Sequence, residues 1–195
     1  VTVRMPKWFV GWVSRRYVAG PSLDDAVSIM KRLSKENACF TLDVLGEEIT
    51  SLAEAQYFLD EYMAAINAIS EHNLDANLSI KPTAFGLLID EEIALANIEE
   101  IVQKASINNI FVRLDMENHR VTQPTIDIVY KMQSRGYYNI GTVLQSRLFR
   151  TTDDITQIVD HLAGLTDIRI CKGIYLESAD IAETGYKEIV DATNS

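Results

Sequence analysis

Four polar side chains stand at the ends of short apolar runs and could act together: Lys81, Asp115, Gln145 and Arg169, joined by the pair Lys172-Gly173. Cations held beside a ring or a phosphate stabilise developing negative charge. A glycine where a strand turns toward a helix lets backbone approach a ligand closely, and the helix beyond offers free N–H groups to phosphate. Each residue also has a plainer reading. Lys81 can snorkel at a sheet rim, Asp115 can partner Arg113, Gln145 can plug a gap by hydrogen bonding, Arg169 can join a salt bridge, and Gly173 can simply turn the chain. On one face and at equivalent depths, the set favours a ligand site.

Placing them on one face requires the elements that carry them. Short β-leaning runs occur at Ala38–Val44, Ala76–Lys81, Asn109–Met116, Ile140–Gln145 and Asp167–Lys172. Between them lie stretches with helical spacing. Leu52, Ala55, Leu59, Tyr62, Ile66 and Ile69 form one apolar stripe, and Ser51 with Glu54 reads as its capping box. Ile155, Ile158, Val159 and Leu162 repeat the pattern behind Thr152–Asp154, whose side chains suit a helix N-terminus. Further helices are predicted at Glu91–Ala105, Pro124–Ser134 and Ala179–Val190, with two more near Lys7–Arg16 and Ser22–Glu36.

Five βα units imply a parallel sheet, either doubly wound or part of an eight-stranded barrel. Length favours the first, since barrels typically take about 250 residues. Strand parity favours the second. One face carries Leu42, Val44, Leu78, Ile80, Val112, Leu114, Thr142, Leu144, Ile168 and Ile170. The other carries Asp43, Lys81, Arg113, Asp115, Gln145, Arg169 and Cys171. Doubly wound strands are apolar on both faces, whereas a barrel tolerates polar groups at its upper mouth. Burying these charges singly would be prohibitive, so they must pair with each other or with a ligand. The expected fold is therefore a (βα)8 TIM-type barrel of which this chain holds five units. Residues 1–37 form an N-terminal helical segment and residues 38–195 form βα units one to five of an incomplete barrel.

Composition narrows the function. The 195 residues include 18 Lys and Arg against 28 Asp and Glu, a net charge of −10 that argues against nucleic acid. The first 23 residues hold Arg4, Lys7, Arg15 and Arg16 without an acid. Trp8, Phe9, Trp12 and Val13 pair among these cations, which suits either an interfacial helix or one packed on the barrel. Cys39 and Cys171, like the three histidines, are too scattered for zinc or a disulfide framework. Lys7–Val18 lacks the apolar length and cleavage site of a secretory signal. Dinucleotide, P-loop and nucleophile-elbow motifs are absent, so a nucleotide cofactor would not sit on a Rossmann turn.

Five strings occur in order: Tyr17-Val-Ala-Gly20, Thr41-Leu-Asp-Val-Leu-Gly-Glu47, Arg113-Leu-Asp-Met-Glu117, Asn139-Ile-Gly-Thr-Val-Leu-Gln145 and Arg169-Ile-Cys-Lys-Gly-Ile-Tyr175. This series resembles the proline dehydrogenase family in its monofunctional bacterial form. The resemblance implies a distorted (βα)8 barrel with FAD at the strand C-termini. It implies that Lys81 meets the substrate, that Asp115 is an active-site residue, and that Arg169 lies beside flavin N5. Met116, Gln145, Lys172, Gly173 and Ile174 would line the flavin. The implied reaction oxidises the C5–N bond of L-proline to Δ1-pyrroline-5-carboxylate, with hydride transfer to the flavin and electrons passed to a membrane quinone. A cytoplasmic location follows, with peripheral contact at the inner face of the membrane through the basic N-terminal helix.

Three departures from the family pattern stand out. Pro82 directly follows Lys81, and Gln145-Ser-Arg-Leu replaces the usual Gln-Ala-Tyr-Leu, putting Arg147 at a Tyr position. The final barrel strands and the helix bearing a Tyr and an Arg pair for the substrate carboxylate have no counterpart before Ser195. Two alternatives therefore stay open: a dehydrogenase of hydroxyproline or another cyclic amine, and an inactive truncated barrel serving as a binding or structural module.

Overall fold

The computed structural model describes residue 20, residues 22–164 and residues 166–194. The basic segment near Lys7–Arg16 lies outside the described residues. From there the chain runs α1 (Leu23–Ser34), β1 (Phe40–Asp43), α2 (Leu52–Glu71), β2 (Ala76–Ile80), α3 (Glu91–Ile107), β3 (Val112–Leu114), α4 (Thr122–Ser134), β4 (Ile140–Gln145), α5 (Thr151–His161), β5 (Ile168–Cys171) and α6 (Tyr186–Asn194). Short 3₁₀ turns at Pro82–Phe85 and His119–Val121 follow β2 and β3.

The five strands are parallel and lie in sequence order, each hydrogen-bonded to the next. Parallel crossovers are right-handed, so sequential order puts every crossover helix on the same side. A doubly wound sheet would instead reverse its strand order at a switch point. The result is a half-barrel, with helices outside and the polar strand face inside. Leu78, Ile80, Val112, Leu114 and Leu144 point outward and are buried beneath those helices. Leu59, Ile66, Ile98, Ile101, Val129 and Met132 meet them in one continuous core.

Local details depart from the sequence reading in four places. Ser51 makes no capping bond of its own; its hydroxyl and that of Thr50 both donate to Glu54 Oε1 at 2.9 Å. The α5 helix starts at Thr151, and Asp154 pairs with Arg150 at 2.7 Å instead of capping. The β3 strand is limited to Val112–Leu114, and Asn109 turns the chain ahead of it with φ +56°. The last helix begins at Tyr186 rather than Ala179. Residues 181–183 are drawn into backbone bonds with the turn after β4: the Phe149 N–H donates to the Ile181 carbonyl at 3.0 Å, and the Glu183 N–H to the Arg147 carbonyl at 2.8 Å. Those bonds compete with the helical ladder, and Gly185 closes the interruption.

Gly141 leaves no room for a side chain between β4 and the start of β5: a Cβ there would lie 2.2 Å from the Asp167 carbonyl oxygen. Gly141→Ala must part β4 from β5, at a cost of about 1–3 kcal/mol. The urea midpoint should fall, and the Thr142 amide, which donates to Asp167 at 3.2 Å, should exchange faster. An unchanged midpoint would show that the strands have slack at this point.

Candidate active site

Parallel pairing stacks the inward side chains in rows. Ile80 pairs with Leu114 and Leu114 with Thr142, so the next residues, Lys81, Asp115 and Val143, stand level with one another. Val143 in turn pairs with Arg169. The row becomes a chain of alternating charge. Lys81 Nζ lies 2.9 Å from Asp43 Oδ2 and 3.8 Å from Asp115 Oδ2, and Asp115 Oδ1 accepts from Arg169 Nη2 at 2.8 Å. Burial disfavours the Lys81 ammonium, but the hydrogen bond and charge of Asp43, with help from Asp115 and Glu47, leave its pKa above the ordinary lysine value.

The helix layer reaches this row through Tyr62 of α2, which is fully buried. Its hydroxyl lies 2.7 Å from the Ser79 carbonyl and 3.0 Å from Asp43 Oδ1, and it accepts the Val44 N–H at 3.0 Å. Burial and the Asp43 charge push the phenol well above its usual range, so it stays protonated and serves as a donor. Arg113 takes no part. It sits one level lower, 2.9 Å from Asp167, with its guanidinium over the Phe111 ring. The partner of Asp115 is thus Arg169 and not Arg113.

Above this row, Gln145 is buried at the end of β4. Its Nε2 donates to the Glu117 carbonyl at 2.6 Å, while Oε1 has no partner. Gly173 rests against that oxygen with φ +89°, and a Cβ there would come within 2.4 Å of it. The glycine is therefore required both by its backbone and by the approach. It does not lead directly into a helix, because α6 starts only at Tyr186. All eight residues singled out from the sequence line one cleft of ≈ 470 Å³ at the strand C-termini: Lys81, Asp115, Met116, Gln145, Arg169, Lys172, Gly173 and Ile174. Val143, Cys171 and Tyr175 complete its walls.

Several supporting groups are not evident from residue type and spacing. Glu117 is buried, and its carboxylate accepts from the Thr83 N–H at 3.0 Å and from the Thr83 hydroxyl, tying the end of β3 to the turn after Lys81. Tyr175 donates to Glu47 Oε2 at 2.7 Å, and burial followed by the Glu47 charge raises the phenol above its usual range. Glu47, Glu117 and Tyr175 each close one of the quoted strings, the only sequence signal they carry. Tyr62 reads simply as one member of a helical stripe.

Residues 26–194 match the family model described as proline dehydrogenase. The chain belongs to the proline dehydrogenase family. It is 38% identical over 169 residues to proline dehydrogenase 1 of Bacillus subtilis subsp. natto, covering 87% of this chain and 55% of that protein. It is 31% identical over 191 residues to proline dehydrogenase 2 of Bacillus subtilis strain 168, covering 92% and 61%. The chain thus spans little more than half the length of the relatives it matches. Among solved structures, proline utilization A (PutA) from Bdellovibrio bacteriovorus inactivated by N-propargylglycine superposes with a TM-score of 0.75 at 22% identity. That match covers 85% of this chain and 21% of the other. It agrees with a partial TIM-type barrel. The proline dehydrogenase family is generally flavin-dependent.

In this family member the buried Glu117 gives stability a definite pH dependence. Burial raises its carboxyl above the ordinary value, against the opposing Thr83 hydrogen bonds. The native state therefore holds a proton that the unfolded chain has already released. Stability falls as pH climbs from the ordinary glutamate pKa through the native one, by up to about 1.4 kcal/mol per pH unit, and then levels. Urea titrations across that window should show a shallower decline for Glu117→Gln. Parallel profiles would mean that Glu117 ionises as freely folded as unfolded.

Proposed function

We propose that this chain supplies flavin-binding and substrate-binding parts of an L-proline dehydrogenase. The observation that carries the reading is the chain Asp43–Lys81–Asp115–Arg169 running beside an apolar cleft at the strand C-termini of a proline dehydrogenase family member.

The cleft suits a flavin. Gln145 Oε1 is a buried acceptor without a partner, fit for an N–H of the ring system. Gly173 has no Cβ to block an approach to it, and Met116 and Val143 offer apolar wall for a flat ring. FAD held here beside Gln145, Gly173 and Arg169 would supply the two-electron acceptor for oxidation of L-proline, which would give up a hydride equivalent from C5 and a proton from the amine to form Δ1-pyrroline-5-carboxylate, with the electrons passed on to a quinone. Arg169 keeps a permanent charge in a rigid fork, suited to holding the ring and favouring its reduced anionic form. Asp115 orients that fork from one oxygen and faces Lys81 from the other. It fixes the spacing of the two cations and needs to take no proton. Lys81, held by Asp43, meets the substrate carboxylate as a point charge alongside further cations. Lys172 and Ile174 border the flavin from the outer wall.

Residues 1–37 are proposed as the helical segment preceding the barrel units, with its basic end touching the cytoplasmic face of a membrane. Among the described residues no helix is long and apolar enough to cross a membrane. Anionic liposomes should co-sediment the chain more strongly with residues 1–16 than without them. Equal binding would remove the membrane contact.

The purified chain mixed with FAD should retain a band at about 450 nm that L-proline bleaches. Arg169→Met should slow that bleaching by about a hundredfold or more while leaving the thermal midpoint nearly unchanged. Colourless wild-type protein, indifferent to FAD and L-proline, would overturn the proposal in favour of a binding or structural module.

A further inference from the structure

The segment after β5 brings Lys172, Gly173, Ile174 and Tyr175 to the cleft, yet residues 172–185 contain no helix and only the isolated bridge between Leu148 and Ala182. Its shape must come from specific tethers. The most extensive is Arg147, a cation that is only 6% exposed. Nη1 donates to the Tyr175 carbonyl at 2.6 Å, while Nε and Nη2 donate to the Glu183 carbonyl at 3.2 and 2.9 Å. The Glu183 N–H returns to the Arg147 carbonyl at 2.8 Å. One planar fork therefore grips two carbonyls separated by seven intervening residues. A tyrosine, with a single hydroxyl donor, could not do this, and a lysine has no rigid fork to span both.

The arm of the same side chain supports the cleft wall. A Cβ on Gly173 would lie 2.8 Å from Arg147 Cδ as well as 2.4 Å from Gln145 Oε1. Gln145 and Arg147 leave the end of β4 two residues apart, and the Gly173 backbone rests on both. Arg147 therefore helps set the depth at which residues 173–175 sit over Gln145. Other tethers hold the segment elsewhere: Tyr175 on Glu47, and Glu177, which accepts the His119 N–H at 2.9 Å.

We propose that Arg147 is a positioning residue whose guanidinium clamps the Tyr175 and Glu183 carbonyls and fixes the 173–183 segment as a wall of the flavin cleft. The cofactor part of this statement rests on the flavin reading above; the clamp itself does not. The test compares the full chain with Arg147→Met and Arg147→Lys by hydrogen exchange and by titration with FAD. Exchange across 173–183 should rise by about tenfold or more in Arg147→Met, with β2–β4 amides unaffected, and FAD should bind about tenfold more weakly. Arg147→Lys should fall between, and it carries the test if the Met variant does not fold. Wild-type exchange in both variants overturns the clamp, as does acceleration spread evenly over all strands, which would mark a purely structural residue. Localised acceleration with unchanged FAD affinity overturns the link to the cleft. If the wild-type chain takes up no FAD, the cofactor reading fails on its own, and the exchange pattern still decides the clamp.

Discussion

The Asp115 carboxylate governs the inner face of this half-barrel. Its two oxygens face two cations from different strands, Lys81 after β2 and Arg169 on β5. Ionic groups taken partly out of water must be paired, or the penalty of desolvation dominates. In a flat sheet Arg169 would have to reach across two strand spacings from β5 to Asp115 beyond β3, a span that curling of the strands toward a common axis shortens. Strand curvature and charge pairing therefore favour one another.

Around this carboxylate the supports grow more specific with height. At its own level the pairing is electrostatic. One level up, contacts become directional: Gln145 is fixed by the Glu117 carbonyl, and Glu117 by Thr83. At the top, the segment after β5 is held by side chains reaching backbone or other loops, together with backbone bonds to the turn after β4. Rigid strands thus set the cations, while loops, adjustable in sequence, define the wall a ligand would meet.

Much of this was legible from residue order. Alternating polarity along the strands pointed to an inside and an outside, and the inside residues do lie level, because parallel register preserves parity. Three features were hidden for a shared reason. The partner of Arg113 is Asp167, which opens the last predicted run and is reached only across β4. The late start of α6 depends on backbone bonds to residues some thirty positions away. The role of Tyr62 depends on a helix crossing directly behind β1. Local propensity and spacing carry no information about such contacts, which exist only once the units are packed. Capping at Ser51 and Asp154 failed more locally, where side chains found each other or a neighbouring arginine instead of the helix N–H groups.

Tyr62 occupies a position that looks like ordinary core, fully enclosed and tilted against the Phe85 ring with centroids 5.7 Å apart. Phenylalanine would satisfy that packing almost as well. It would also strip one donor from Asp43 and leave the Val44 N–H without its acceptor. Drift at this site is thus restrained by the acid it serves and not by the hydrophobic volume it fills. A phenylalanine here would be accommodated only if Asp43 and the Val44 N–H found other partners.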